Sequence, residues 1–399
     1  MDLTTINRPA RDLLGTLEPQ PADALLALIS AYRSDARAEK IDVGVGVYRD
    51  DDGLTPVLRS VKAAERRLLD EQPTKGYLGP EGDIGYFDAL TPVIFGPVEF
   101  GGRLAGLQTV GGTGALRVAA ELVARARPGA RVLVGNPTWP NHPPIFKSAG
   151  LELVPYEHFD VATQMLTFGR VLQAFQAAQP GDVALLHGCC HNPTGADFGA
   201  EQWRELANLM RERSILPLID LAYQGLGTGL DEDAAGTRIV LETVDEVLVA
   251  YSCDKNFGLY RERVGALYAI SSSVERSRTL QSNLLSLTRA NWSMPPDHGA
   301  AVVRTILADP VLAEDWRVEL AEMRSRIRHI RELLAAQDRH LAPLLQQHGM
   351  FSTLPLTSAQ VAQLREVRGI YMPSSGRINL AGLTPETVPA FVNALASIR

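Results

Sequence analysis

The sequence predicts an α/β fold built on a largely parallel sheet, followed by a smaller α+β portion, and three observations lead there. From about residue 105 to 270, short runs rich in Val, Ile and Leu alternate with longer charge-laced runs. The gaps between apolar runs are long enough for crossover helices, which parallel strands need and hairpins do not. Beyond residue 316 the pattern changes to one long Arg- and Glu-rich helix and then short strand-like pieces.

Taken in order, Pro21-Ala22-Asp23 before the apolar run 24–29 reads as a capped amphipathic helix, and 41–47 as an isolated strand-like run. Helices are expected over 113–127, 171–178 and 202–213. Strands are expected over 131–134, 151–156, 183–187, 215–220, 246–252 and 264–270. The long helix covers 316–337, and 350–353, 370–372 and 377–380 are short strand candidates before a terminal helix. The division that follows is an N-terminal arm at 1–50 that completes a small domain at 316–399, with a large domain at 51–315 between them. In sheets of this kind ligands collect beyond the carboxyl ends of the strands, which singles out the loops 187–195 and 220–225.

Composition narrows the function classes. The chain has 399 residues, 45% hydrophobic and 21% charged, which suits a folded globular protein and excludes disorder and collagen-like repeats. Acidic residues outnumber basic ones 46 to 39, and no Lys/Arg run offers a patch for nucleic acid or anionic lipid. No stretch approaches the roughly 20 apolar residues of a membrane span. The first 20 residues carry charges and no apolar signal core. Three cysteines, Cys189, Cys190 and Cys253, do not make a disulfide framework, and a reducing, cytoplasmic setting is expected.

Five lysines occur, and Lys255 alone sits just past a predicted strand, at the sheet end where ligands bind. Lysine loses its charge readily when desolvated, which suits it to Schiff-base chemistry, although an isolated lysine is more often a surface charge. Gly111-Gly112-Thr113-Gly114 opens a helix and offers free backbone N–H groups to a phosphate; Arg117 stands where a dinucleotide fingerprint needs glycine. His187 and His191 flank two cysteines, yet the following Asn192-Pro193-Thr194-Gly195 breaks any helix, so the two rings are not fixed on one face and no metal site is expected. Asp220 and Tyr223 begin at another strand end, where an aspartate alone would be read as a cap. Trp139 and His142 occupy a Pro-rich turn.

The order Gly-Gly-Thr-Gly, Trp-Pro-Asn-His, His-Gly-Cys-Cys-His-Asn-Pro-Thr-Gly, Asp-Leu-Ala-Tyr-Gln-Gly, Lys-Asn-Phe-Gly-Leu-Tyr-Arg-Glu-Arg and Ser-Gly-Arg-Ile-Asn closely resembles the aspartate and aromatic amino-acid aminotransferases, over about residues 20 to 395. The resemblance implies fold type I with a seven-stranded sheet, pyridoxal 5'-phosphate (PLP) as cofactor, amino-acid and 2-oxo-acid substrates, and a homodimer with shared active sites. By the same resemblance, Lys255 would hold PLP covalently and move the proton during exchange, and Asp220 would pair with the pyridinium nitrogen, supported by His142 and His187. Asn192 and Tyr223 would bind the ring oxygen, and Trp139 would stack on the ring. Gly112, Thr113, Ser252 and Arg263 would hold the phosphate, joined by Tyr77 of the other subunit. Arg377, helped by the backbone of Gly46, would bind the substrate α-carboxylate, and Arg289 would cross the interface to a side-chain carboxylate.

The match departs from the family at informative places. Asp254 precedes Lys255 where a serine is usual, so it either repels the cofactor phosphate or turns aside to pair with an arginine. Met294, Gly76 and Thr353 replace an asparagine, a polar residue and an aromatic, which points to a less polar, roomier site. These changes and the blocks Leu-Ile-Asp-Leu-Ala-Tyr-Gln-Gly and Glu-Asp-Ala-Ala-Gly-Thr-Arg resemble the bacterial aromatic branch. The expectation is an aromatic-amino-acid aminotransferase that also takes dicarboxylates. A strict aspartate aminotransferase and a non-catalytic protein that keeps the fold are the alternatives.

Overall fold

The computed structural model describes residues 14–19 and 24–398. Its central element is a seven-stranded sheet with the spatial order Leu104–Val110, Val264–Ile270, Val247–Ser252, Leu216–Leu221, Val183–His187, Arg131–Asn136, Glu152–Glu157. Only Val264–Ile270 runs against its neighbours; the other pairings are parallel. That one reversal matters for the site, because it brings the start of Val264–Ile270 to the edge where the parallel strands end.

Alternation along each strand builds two cores, one on each face. Val247, Val249 and Tyr251 pack into one apolar cluster with Ala266, Tyr268 and Ile270. Leu248, Ala250, Leu267 and Ala269 face the other. Both faces are buried, so these strands read as nearly continuous apolar runs, and the sequence located them to within about two residues. Leu104–Val110 was not assigned from sequence: Gly106 interrupts its pattern, and a Cβ there would lie 2.5 Å from the Phe87 ring, so the neighbouring ring takes the space a side chain would fill.

The helix predicted over 113–127 spans Gly111–Ala126, starting two residues earlier because the glycines themselves form its first turn. The long helix spans Pro310–Gln337. Asp309 caps it by accepting from the N–H groups of Val311 and Leu312, and Pro310 occupies the first turn, where its missing N–H costs nothing. Seven further helices, Arg59–Glu71, Ile84–Phe95, His142–Ser148, Leu230–Thr243, Val274–Asn291, His298–Ala308 and Ser358–Arg368, are not assigned individually from the sequence.

The N-terminal helix runs Ala24–Ser34; its expected cap at 21–23 lies outside the described residues. The run expected as a strand over 41–47 pairs only through Ile41–Asp42, parallel to Ile370–Tyr371. Beyond it the backbone is held by one residue, Asn379, instead of a ladder. Asn379 donates its backbone N–H to the Val43 carbonyl (2.7 Å) and its amide to the carbonyls of Val45 (2.6 Å) and Val47 (2.7 Å). Phe351–Thr353 pairs antiparallel with Arg377–Asn379. Leu380, expected within that strand, begins a short 3-10 turn that the Asn379 side chain caps at Ala381 N–H.

Candidate active site

The carboxyl ends of the parallel strands, the start of the reversed strand and the first turn of Gly111–Ala126 meet around a cavity of about 300 Å³. Eleven residues singled out from the sequence line it: Gly46, Gly112, Thr113, Trp139, Asn192, Asp220, Tyr223, Ser252, Lys255, Arg263 and Arg377. His187 and Asp254 line it as well. They are separated by as many as 331 residues in sequence, and the sheet topology brings them together.

Asp220 is the buried anion of the site. Its Oδ2 lies 3.1 Å from His142 Nε2, and His142 Nδ1 lies 2.7 Å from the Thr138 hydroxyl. A carboxylate only accepts, so His142 Nε2 carries the donated proton, and in the neutral ring Nδ1 accepts from Thr138. Burial alone would raise the Asp220 carboxyl, but the His142 hydrogen bond, with the neighbouring imidazoles and Lys255, holds it below the usual range. His187 leans on His142 with ring centroids 5.1 Å apart, and its Nε2 has no partner. Burial pushes His187 down to about 3. Ligand atoms of His142, His187 and Asp220 lie within 4.8 Å of one another. His187 and His191 come from a strand end and a loop, with ring centroids 4.1 Å apart and tilted by 54°.

Lys255 follows the end of Val247–Ser252 by three residues. Burial lowers its pKa from the ordinary lysine value, against the opposing pull of Asp254 and Asp220. Its Nζ lies 5.4 Å from the centre of the Tyr223 ring. The loop that carries it is pinned from behind: Trp316 Nε1 donates to the Asn256 carbonyl at 2.8 Å, and the Trp316 and Phe257 rings stack at 4.3 Å. Asn192 Nδ2 donates to the Tyr223 hydroxyl at 3.3 Å, while Asn192 Oδ1 is buried without a partner.

A phosphate-sized cradle lies beside the lysine. Gly111 has φ +65°, which favours glycine, and no side chain caps the helix it opens. Free N–H groups and the positive helix end therefore face the cavity. A Cβ on Gly112 would lie 3.0 Å from Ser252 Cβ, so the close approach of helix and strand depends on that glycine.

At the other end, Arg377 is buried, donates to the Gly44 carbonyl at 2.7 Å and lies over the Phe351 ring at 4.7 Å. Its Nε is buried and unpartnered. Phe351 and Tyr260 also line the cavity; the sequence analysis assigns neither a role, although Tyr260 lies in the Lys-Asn-Phe-Gly-Leu-Tyr-Arg-Glu-Arg motif and Phe351 in a predicted strand.

Tyr77, Arg289, Gly76, Met294 and Thr353, all singled out from the sequence, do not line this cavity. Tyr77 is 95% exposed, Arg289 lies on the surface with a hydrogen bond to Ser293, and Gly76 is exposed. Met294 accepts at its sulfur from the Leu78 N–H at 3.1 Å. Thr353 is buried to one side, where its hydroxyl donates to the Pro193 carbonyl at 3.0 Å, so it buttresses the Asn192 loop and does not enlarge the cavity. Asp254 takes the second of its two expected courses: its carboxylate accepts from Arg263 Nη1 and from the Val264 N–H.

The aminotransferase class I and II family model matches residues 38–395. The chain belongs to that family. A tyrosine aminotransferase of Rhizobium meliloti is 52% identical over 93% of this chain and 96% of its own length. An aspartate aminotransferase of Escherichia coli is 44% identical, over 95% and 98% respectively. Among solved structures, an aromatic-amino-acid aminotransferase of Burkholderia pseudomallei, covalently bound to pyridoxal phosphate, superposes with a TM-score of 0.94 at 38% identity, covering 97% of this chain and 99% of that one. This aminotransferase is thus an enzyme of PLP fold type I. Its cavity fits the cofactor on its own terms. The capless glycine turn suits a phosphate, Asp220 suits a protonated ring nitrogen, Asn192 and Tyr223 offer hydrogen bonds to a ring oxygen, and Lys255 supplies an amine.

Proposed function

We propose that this aminotransferase exchanges the amino group of Phe, Tyr and Trp with 2-oxoglutarate or oxaloacetate, and also accepts aspartate and glutamate, by a ping-pong mechanism. It acts in the cytoplasm as a homodimer in which Tyr77 and Arg289 of each subunit complete the other's site. Residues 51–315 form the large cofactor-holding unit, and 316–399 with the arm 1–50 form the smaller one.

PLP, when bound, supplies an electron sink and carries the amino group between half-reactions. The chain does the rest. Arg377 takes the substrate α-carboxylate on its guanidinium fork, and the Gly46 backbone helps it. Asp220, backed by His142 and His187, keeps a proton on the ring nitrogen. Asn192 and Tyr223 would hold the ring oxygen, and Trp139 would cover the ring face. Gly112, Thr113, Ser252 and Arg263 hold the phosphate. Lys255 would hold the cofactor covalently until the incoming amino acid displaces it, and its released Nζ would then take the proton from substrate Cα and deliver it to the cofactor carbon that had carried the lysine.

The observation that carries the reading is the meeting, in one cavity, of an amine lowered by burial, a buried carboxylate held ionised, and a buried arginine with an unpartnered Nε. The aromatic preference is supported by the Phe351 ring against Arg377 and by Trp139, Val45, Val47 and Leu116, which line the same cavity. Arg289 and the aspartate aminotransferase relative support the dicarboxylate activity. Borohydride reduction of the PLP-loaded protein followed by peptide mapping should place the cofactor mass on Lys255, and Lys255→Ala should abolish both the label and turnover. Label on another lysine would overturn the assignment.

A further inference from the structure

Asp254 is an ion pair's buried member inside a site that must accept an anion. Its side chain is 1% exposed, whereas that of Arg263 is 40% exposed. One carboxylate oxygen accepts from Arg263 Nη1 and the other from the Val264 N–H at 3.1 Å. Arg263 also donates to the Tyr260 carbonyl at 3.2 Å, so its guanidinium is oriented inside the chain. Gly111 closes the arrangement from the helix side. Its N–H donates to the Arg263 carbonyl at 2.8 Å, and a Cβ there would lie 2.7 Å from Arg263 Nη2 and 3.2 Å from the Asp254 carboxylate. The pair is thus pressed against the first turn of the helix whose N–H groups face the cavity.

The consequence is one of charge. Among the described residues that line the cavity, the cations are Lys255, Arg263 and Arg377, and the anions are Asp220 and Asp254. Lys255 and Asp220 serve the ring and Arg377 lies at the far end, which leaves Arg263 as the cation of the phosphate end. Asp254 cancels it. A phosphate ester carries roughly −1.5 to −2 charge near neutral pH, and an arginine already paired with a carboxylate compensates it less than a free one.

We propose that Asp254 is a built-in counter-ion of the phosphate cradle: it holds Arg263 in place before the cofactor arrives and competes with the cofactor phosphate for that guanidinium afterwards, so that PLP loads more weakly than it would onto the same cradle with a neutral residue at 254. Asp254 acts through Arg263 and is a positioning residue. The proposal rests on the cofactor reading above, and it makes the enzyme's cofactor occupancy responsive to supply.

The test is equilibrium binding of PLP and of pyridoxal, which lacks the phosphate, to the cofactor-free protein. D254N keeps an acceptor for the Val264 N–H and removes the charge; D254S is a second, smaller neutral variant should one of them fold poorly. Both should bind PLP about tenfold more tightly than wild type and bind pyridoxal equally. R263Q should weaken PLP binding by about tenfold more in the D254N background than in wild type, because only there is the arginine charge free to act. PLP affinity unchanged or weakened in D254N, a gain shared by pyridoxal, or an R263Q loss equal in both backgrounds would overturn the proposal. Failure of the wild-type protein to bind PLP at Lys255 is a different result: it would overturn the cofactor reading itself.

Discussion

His142 Nε2 stands 3.1 Å from Asp220 Oδ2, and the other nitrogen of the same ring stands 2.7 Å from the Thr138 hydroxyl, so the orientation of one imidazole is fixed from both sides. Thr138, in a loop, and His142, the first residue of the helix that follows it, thereby hold one carboxylate in place and ionised. Asp220→Ala should reduce turnover by several orders of magnitude, since the other anion among the described residues that line the cavity, Asp254, is paired with Arg263. His142→Ala should reduce it less, with the larger share of the loss in kcat. Steady-state kinetics on both variants checks this; an Asp220→Ala enzyme within tenfold of wild type would remove Asp220 from its role.

The two arginines should separate kinetically. Every amino-acid substrate has an α-carboxylate, but only aspartate, glutamate and their oxo acids have a second one. Arg377→Ala should therefore damage all substrates. Arg289→Ala should cost aspartate on the order of 2 to 5 kcal/mol in kcat/KM, the scale for removing one partner of a buried charge pair, and leave phenylalanine nearly unchanged. Equal losses for phenylalanine and aspartate would contradict the assignment.

A stability prediction concerns the support of the site. Glu319, buried on Pro310–Gln337, accepts from the N–H groups of Arg59 (2.6 Å) and Ser60 (3.1 Å) and from the Ser60 hydroxyl (2.8 Å), and so caps the helix Arg59–Glu71 from another element. No side chain of that helix's own N-cap residue does this. Glu319→Ala should lower unfolding free energy by about 2 to 4 kcal/mol, and Glu319→Gln by less, since the amide oxygen still accepts. Denaturant unfolding of the PLP-loaded protein measures both.

The residues of the site were legible in the sequence because most of them lie in short motifs at strand ends, where Lys255, Asp220 and Asn192 have no freedom to be elsewhere once the sheet forms. The central strands were legible because burial on both faces writes unbroken apolar runs. What escaped had physical reasons. Leu104–Val110 lost its pattern to Gly106, which a ring covers. The run after Asp42 looked like a strand but is held by the backbone N–H and side-chain amide of Asn379, 336 residues away from Val43. Thr353 sits next to a lining residue in sequence yet points to the Pro193 carbonyl, a choice of direction that no motif encodes. Asp254 was visible as a departure, but whether it faced the phosphate or an arginine depended on the reversed strand that delivers Arg263 beside it.

The measurement that bears most directly on the account is kcat/KM for phenylalanine, tyrosine and aspartate, each with 2-oxoglutarate, on one preparation of PLP-loaded wild-type protein. All three amino acids should be turned over, with phenylalanine and tyrosine ahead of aspartate. Turnover of aspartate with none of phenylalanine or tyrosine would contradict the proposed specificity, and turnover of none of the three would contradict the assignment of this cavity as an aminotransferase active site.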